Sequence, residues 1–158
     1  MSQNMMHQIF VEEIHELKLV GFRVVCTGEQ YIKEIPKASK LLYTRLNEVK
    51  HVVNPSLQIG VFNAIDSSEE KDGYWICVEV KSYVDVPEDM VTLTVPPQKY
   101  AVIRHRGSNF KIMDAYSQLH RWIKDEGFTR MTDSWHLEKF HSWQDSKKID
   151  VELYDTII

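Results

Sequence analysis

Two stretches of the chain carry apolar residues at the three- and four-residue spacing of an amphipathic helix. The stripe of the first stretch consists of Ile35, Ala38, Leu42, Leu46 and Val49. This helix is predicted to begin near Ile35, with Pro36 in its first turn, where the missing N–H of proline costs little. The second stretch covers residues 111–126, and its stripe consists of Ile112, Tyr116, Leu119 and Ile123. Gly127 fits the position just after a helix.

Shorter stretches rich in β-branched and apolar residues predict strands. They lie at residues 17–25, 57–65, 74–83, 90–95, 100–106, 135–142 and 151–157. The polar turn at 66–73 ends in Asp72-Gly73, which indicates a hairpin. Residues 1–12 show no strong periodicity and are too few to form a DNA-reading module, so we expect none.

The elements follow the order β-α-β-β twice. A shift of about 79 residues pairs Gly28 with Gly107, the two helices with each other, and Trp75 with Tyr154. The halves cover about 13–84 and 90–158, and an acidic link at 85–89 joins them. We therefore predict one α+β domain over residues 1–158, with an antiparallel sheet and two helices on one face.

The composition excludes several classes of protein. Hydrophobic residues make up 43% and charged residues 27% of the chain, which is typical of a globular domain rather than a disordered or membrane protein. The net charge of −4 disfavours nucleic-acid binding, which usually needs a basic face. Cys26 and Cys77 lie in apolar runs, as buried thiols do, and no secretory signal is recognisable, so a cytoplasmic location is expected.

Several segments resemble one family when they are taken in order. The sequence PQKYAVIRHRG at 97–107 resembles the segment of GyrI-like effector-binding domains in which a proline precedes Tyr-Ala-Val, a strand and a glycine. The strands WHLEKF at 135–140 and VELY at 151–154 continue the pattern, and KLVGFRV at 18–24 resembles the opening strand. The resemblance covers residues 15–158 and implies a stand-alone member related to the small-molecule-binding half of AraC-type and multidrug-responsive bacterial activators.

The resemblance implies a role for Glu138. In the family, a glutamate in the next-to-last strand lies at the bottom of an aromatic pocket and pairs with lipophilic cations. Strand alternation places His136, Glu138 and Phe140 on one face, which is equally compatible with a solvated glutamate on an open sheet. In an aromatic pocket, the pKa of the carboxyl would be raised.

Aromatic residues supply candidate walls for such a pocket. They are Tyr43, Phe62, Trp75, Tyr100, Tyr116, Phe140 and Tyr154. Each of them alone is more typical of an ordinary core residue, and the set as a whole is what suggests a pocket. Tyr100 and Tyr154 are preferred because they lie on strands in the same half as Glu138, and Trp75 is expected to approach from the other half.

Three functions stay open at this point. The first is a module that senses or sequesters an amphipathic, cationic or aromatic small molecule. The second is a hydrolase of strained-ring or electrophilic compounds that uses Glu138 with Tyr100 or Tyr154, since the family also contains hydrolases. The third is a protein binder that resembles gyrase inhibitors. We expect a small-molecule ligand, leave a protein partner open, and expect no direct nucleic-acid or membrane partner.

No cofactor or metal site is expected. His136-Leu137-Glu138 matches the H-x-E motif of zinc deaminases, but the chain has no cysteine after Cys77 to complete that site. His136 and His141 would point to opposite faces of a strand, so they do not form a ligand pair.

Overall fold

The computed structural model describes residues 8–63 and 71–158, and it confirms the α+β prediction. One eight-stranded antiparallel sheet and two α-helices are formed within these residues. In chain order the elements are β1 (Ile9–Ile14), β2 (Leu17–Val24), α1 (Tyr31–Thr44), β3 (Gln58–Asn63), β4 (Tyr74–Val80), β5 (Val91–Val95), β6 (Gln98–Gly107), α2 (Ile112–Asp125), β7 (Trp135–Ser142) and β8 (Ile149–Thr156).

The strand order is symmetric about the middle of the sheet. It runs β1-β6-β8-β7-β3-β4-β2-β5, so a pseudo-twofold axis between β7 and β3 relates β8 to β4, β6 to β2 and β1 to β5. Each half sends its leading strand to the other half: β1 pairs with β6, and β5 pairs with β2. The two halves are therefore joined at the centre and at both edges.

Two short links force the sheet to curl. Only His15 and Glu16 join β1 to β2, and only Pro96 and Pro97 join β5 to β6. Each link connects strands six positions apart, a span of roughly 29 Å in a flat sheet. Two residues reach about 11 Å at most. The sheet must therefore bend until its edges approach each other.

The curl encloses one face of the sheet and exposes the other to the helices. Ile14 from β1, Leu17 from β2 and Val95 from β5 belong to one buried cluster with Tyr100 from β6 and Tyr154 from β8. This cluster fills the concave face, where Tyr100 has no exposed surface. The convex face carries both helices.

Both helices pack on the sheet through their apolar stripes, but α1 ends at Thr44, so Leu46 and Val49 of the predicted stripe lie in and after a 3-10 turn beyond it. Leu42 of α1 packs in one cluster with Val20 and Ile76 of the sheet. Leu119 of α2 packs with Ile103 in a second cluster. Neither helix is long and apolar enough to cross a membrane, a statement that covers the described residues alone.

Three local predictions differ from the structure. β1 lies within the lead-in segment, where an edge strand with partly exposed residues leaves little periodic signal. Helix α1 begins at Tyr31 rather than near Ile35, because a 3-10 turn at Gly28–Gln30 leads directly into it, and Pro36 becomes its sixth residue. The helices start at residues 31 and 112, a shift of 81 rather than 79. Most of the predicted turn at 66–73 lies outside the described residues.

The importance of β1 can be tested at its last residue. Ile14 is 7% exposed within the concave cluster, whereas Ile32 on α1 is 64% exposed. We expect Ile14→Ala to lower the free energy of unfolding by about 2–4 kcal/mol, the usual cost of a buried large-to-small change. Ile32→Ala is the matched control, and its change should stay within about 0.5 kcal/mol. Equal losses in chemical denaturation would contradict the enclosure of the concave face by β1.

Candidate functional site

Glu138 lies next to the pseudo-twofold axis, on the convex face. It is on β7, where it is opposite Gly60 of β3 on one side and Leu153 of β8 on the other. Gly60 is in turn opposite Ile76 of β4. Directly opposed residues of antiparallel strands point to the same face, so the Glu138 side chain shares the face of Ile76 and Leu153, under the helices.

Two tyrosine hydroxyls hold the carboxylate of Glu138. Tyr74 donates to Oε1 over 2.6 Å, and Tyr116 donates to Oε2 over 2.5 Å. Tyr74 comes from β4 in the first half and Tyr116 from α2 in the second half. Short O–H···O⁻ bonds of this kind are stronger than bonds between neutral groups. The carboxylate is therefore fixed in position by both halves of the chain.

Gly60 makes room for one of these bonds. The Tyr74 side chain passes over β3 to reach Glu138, and a Cβ atom on Gly60 would lie 1.7 Å from the Tyr74 hydroxyl. The Tyr74 ring also stacks on Phe62, with a centroid distance of 6.0 Å. Only glycine at residue 60 is compatible with this path.

The electrostatics of the three groups are coupled. Burial raises the pKa of Glu138 above its ordinary value of 4.5, although the hydrogen bonds from Tyr116 and Tyr74 oppose this rise. Burial, followed by the charge of Glu138, raises the pKa of both tyrosines well above 10. The hydroxyls consequently stay protonated and remain donors at any physiological pH.

A cavity of about 790 Å³ opens onto Glu138. One wall is α1, and the other is formed by the start of α2 and the turn between β7 and β8. The walls are largely apolar and aromatic, with Ile35, Tyr43, Ile112, Phe140 and Trp143 among them. Tyr43 and Trp143 meet edge to face across the cavity, with ring centroids 6.1 Å apart. Of the described lining residues, Glu138 is the single carboxylate.

Asp155, a buried carboxylate on the same face, differs from Glu138 because it has a cationic partner within the protein. Asp155 lies 2.7 Å from Arg130 Nε, 2.8 Å from His120 Nε2 and 3.0 Å from His136 Nδ1. Burial alone would raise the pKa of Asp155, but the two nearby histidines and Arg130, which donates a hydrogen bond to Oδ2, outweigh it and lower the pKa. Asp155 is thus compensated within the protein. Glu138 takes part in no ion pair within residues 8–63 and 71–158, and its partners are neutral hydroxyls.

Comparison with known proteins places this geometry in a family. A family model described as integron-associated effector binding protein, Cass2, matches residues 11–157. The chain belongs to this family of effector-binding proteins. The resemblance to GyrI-like effector-binding domains is confirmed, and with it the assignment of a small-molecule-binding domain. No curated protein matches the sequence significantly.

Solved structures share the fold at low sequence identity. The C-terminal domain of EcmrR matches with a TM-score of 0.68 and 18% identity, over 97% of this chain and 98% of that domain. In the EcmrR–DNA complex, the chain spans 58% of the EcmrR polypeptide. SAV2435, solved with tetraphenylphosphonium, matches with a TM-score of 0.71 and 18% identity, over 96% of this chain and 94% of that chain. A hydrolase from Listeria innocua matches with a TM-score of 0.58 and 12% identity, over 96% and 92%.

The structure brings together some of the aromatic residues expected near the effector. Tyr43 and Phe140 line the cavity with Glu138. Phe62 does not line the cavity itself; its ring stacks on Tyr74, which does, and lies 5.6 Å from the ring of His136. Their role in effector binding stays a prediction.

Trp75, Tyr100 and Tyr154 lie on the other side of the sheet. All three belong to the concave cluster, and Tyr100 and Tyr154 pack edge to face at 5.5 Å. Tyr154 is opposite Leu137, the neighbour of Glu138, so strand alternation turns it away from the carboxylate. The register between β7 and β8, which the sequence does not specify, decides this separation and corrects the expected preference for these residues as cavity walls.

Sequence reasoning missed Tyr74 and Gly60. Tyr116 is among the aromatic residues that the sequence offers as candidate walls. Tyr74 was read as the first residue of a strand, and nothing local connects it with a carboxylate 64 positions later. A period-two pattern linking Tyr74 to Ile76 was the one available signal that it faces the helices.

Among the described residues, no group of three or more His, Cys, Asp or Glu side chains forms a metal site.

Gly60→Ala tests the path of Tyr74. The added methyl group would displace the Tyr74 hydroxyl, so we expect a loss of about 1–3 kcal/mol in unfolding free energy, as for other overpacked sites. Gly28→Ala is the matched control, because an added Cβ there meets nothing within 4 Å. The difference should appear in chemical denaturation. A Gly60 variant as stable as the control would contradict the described Tyr74–Glu138 contact.

The raised pKa of Glu138 predicts how stability depends on pH. A carboxyl whose pKa is higher in the folded protein contributes stability below its ordinary pKa of 4.5 and loses that contribution as the pH rises through the folded-state pKa. Glu138→Gln, which cannot ionise, should therefore gain in melting temperature relative to the wild type between pH 4 and pH 8. Thermal unfolding across this range measures the effect. A melting-temperature difference that does not change with pH would contradict the raised pKa.

Proposed function

We propose that this domain captures an amphipathic aromatic cation in the cavity, with Glu138 as its counter-ion, and that it acts as a sensor or a sequestering protein. The observation that carries the proposal is the electrostatic environment of Glu138, which forms the floor of the cavity. Glu138 is a half-buried carboxylate that faces the cavity and has no cationic partner within the described residues. A ligand cation would supply that partner.

The energetic argument follows from the raised pKa. Ionised Glu138 is poorly solvated, and the two tyrosine hydroxyls compensate for this only in part. A cation beside the carboxylate would favour its charged form. Tyr43, Phe140 and Trp143 would each add a cation–π contact of about 0.5–2 kcal/mol.

The dimensions of the cavity are compatible with a drug-sized ligand. Its volume of about 790 Å³ lies in the usual range for small-molecule sites, roughly 300–1,000 Å³. Tetraphenylphosphonium, the ligand in the SAV2435 structure, is a cation of this kind. The aromatic walls, the carboxylate and this structural likeness support the same class of ligand.

Binding of tetraphenylphosphonium tests the role of Glu138. We expect quenching of tryptophan fluorescence in the wild type, because Trp143 lines the cavity, and an affinity at least about tenfold weaker in Glu138→Gln. Glu152→Gln is the matched control. Glu152 is opposite Lys139 on the concave side of the strands, and its Oε1 lies 2.6 Å from His141 Nε2. The substitution therefore removes a carboxylate charge outside the cavity.

The same titration should release protons. Since the cation favours ionised Glu138, the apparent affinity should fall as the pH is lowered through the raised pKa, and calorimetry in buffers of different ionisation enthalpy should show proton release. Equal affinities for the wild type and Glu138→Gln, or loss of binding in Glu152→Gln as well, would refute the counter-ion role.

Hydrolysis is the second candidate, since a protonated carboxyl beside two hydroxyls can also transfer protons. In that case the partners of Glu138 would be Tyr74 and Tyr116 rather than Tyr100, whose hydroxyl accepts from Gln98 on the other face. Incubation with strained-ring electrophiles followed by mass spectrometry separates the two functions. Recovery of the compound unchanged supports binding, and a gain of one water that requires Glu138 supports hydrolysis.

A further inference from the structure

The charges along the cavity wall are of opposite sign. Among the described residues that line it, Glu138 and Lys40 carry charge, and the remaining polar side chains are neutral. Glu138 is half-buried at the floor, whereas Lys40 is exposed on α1. The cavity therefore has a negative floor and one positive group on its wall.

The anchoring of α1 indicates where Lys40 lies relative to Glu138. Its neighbour Ser39 donates to Gln58 Oε1 over 2.5 Å, and Gln58 Nε2 donates back to the Ser39 carbonyl over 3.0 Å. Gln58 is opposite Phe140, two residues beyond Glu138 on β7. Two residues of a strand span roughly 7 Å. Ser39 is consequently anchored to the sheet at about this distance along β7 from Glu138, and Lys40, the next residue of α1, lines the cavity together with Gln144 and Ser146 of the turn between β7 and β8.

Within the part of the chain that the structure describes, Lys40 has no acidic partner. No ion pair or side-chain hydrogen bond within residues 8–63 and 71–158 involves it, although Lys37 on the same helix binds Glu34 over 3.1 Å. The cavity residues of the turn, Gln144 and Ser146, are uncharged. The ammonium group is thus available to a ligand that already occupies the floor.

We propose that the preferred ligand is amphoteric: an aromatic cation that contacts Glu138 and also carries a carboxylate or another anionic group that contacts Lys40. This proposal rests on the proposed function of the site and narrows its ligand class. A purely cationic ligand would meet Lys40 as a like charge. An amphoteric ligand of the same shape would satisfy both charges of the wall.

A pair of rhodamines tests the proposal directly. Rhodamine 123 is a methyl ester with a permanent positive charge, and rhodamine 110 is the corresponding acid, which adds a carboxylate to the same ring system at neutral pH. We expect rhodamine 110 to bind about two- to fivefold more tightly than the ester, the effect of one partly exposed ion pair. Fluorescence anisotropy measures both affinities.

Variants of Lys40 separate its charge from its packing. The stem of a lysine covers apolar surface, so Lys40→Met keeps the stem and removes the charge. We expect this variant to abolish the preference for the acid, and Lys40→Glu to reverse it. Lys37→Met is the matched control, since Lys37 lies on the same helix but lines the neighbouring groove beside β2, and it should keep the wild-type ratio. Circular dichroism confirms that each variant is folded.

The outcomes distinguish the two proposals. If the ester binds and depends on Glu138, but the acid is no tighter or the ratio is the same in Lys40→Met, the amphoteric ligand is refuted and the counter-ion role stands. An equal change of the ratio in Lys37→Met would also refute it, because a general charge effect would then suffice. If neither dye binds, or Glu138→Gln binds both as tightly as the wild type, both proposals fail.

Discussion

Two links of two residues each set the shape of this molecule. His15-Glu16 and Pro96-Pro97 join strands that a flat sheet would hold far apart, so the sheet has to curl. The curl closes the concave face around a core that includes strands from both halves, and it leaves the convex face for the helices. On the convex face, the two helices leave a cavity above the central strands, and Glu138 faces that cavity.

The convex face contains two carboxylates with different roles: Asp155 is buried, and Glu138 is half-buried. Asp155 is paired with Arg130 and contacts two histidines, one of which, His120, lies one turn beyond Tyr116 on α2. Asp155 therefore helps to hold α2 on the sheet. From the described residues Glu138 receives hydrogen bonds of hydroxyl groups alone, which position its charge without neutralising it. An unpaired buried charge costs stability, and such costs are typical of sites that are completed by a ligand.

Much of the fold could be predicted because its signals are local. The stripes of both helices, the alternating strands and the β-α-β-β repeat come from periodicities within each segment. β1 could not be predicted, since an edge strand of partly exposed residues has weak alternation and depends on its partner β6. The start of α1 was misplaced because Pro36 suggested a first turn, while a 3-10 turn had already begun the helix.

The site was less predictable because it depends on registers between distant segments. Glu138 was found through family resemblance, and strand alternation gave its face together with that of Phe140. Tyr74 reaches Glu138 only because β3 separates β4 from β7 and presents Gly60 at the crossing point. The concave placement of Tyr100 and Tyr154 depends in the same way on how β8 aligns with its neighbours. No pattern within a single segment contains this information.

The pairing of Tyr74 and Tyr116 on one carboxylate also affects how the protein responds to its effector. Tyr74 belongs to the first half of the chain and Tyr116 to the second. If only one half of the sheet were folded, Glu138 would lack one of its two hydrogen bonds, and the floor of the cavity would be incomplete. A ligand that requires the floor binds only the fully folded protein, and by mass action it stabilises the whole sheet rather than one helix. In the cell, such a domain would be degraded more slowly when its effector is present, so the amount of the protein would rise with the effector concentration.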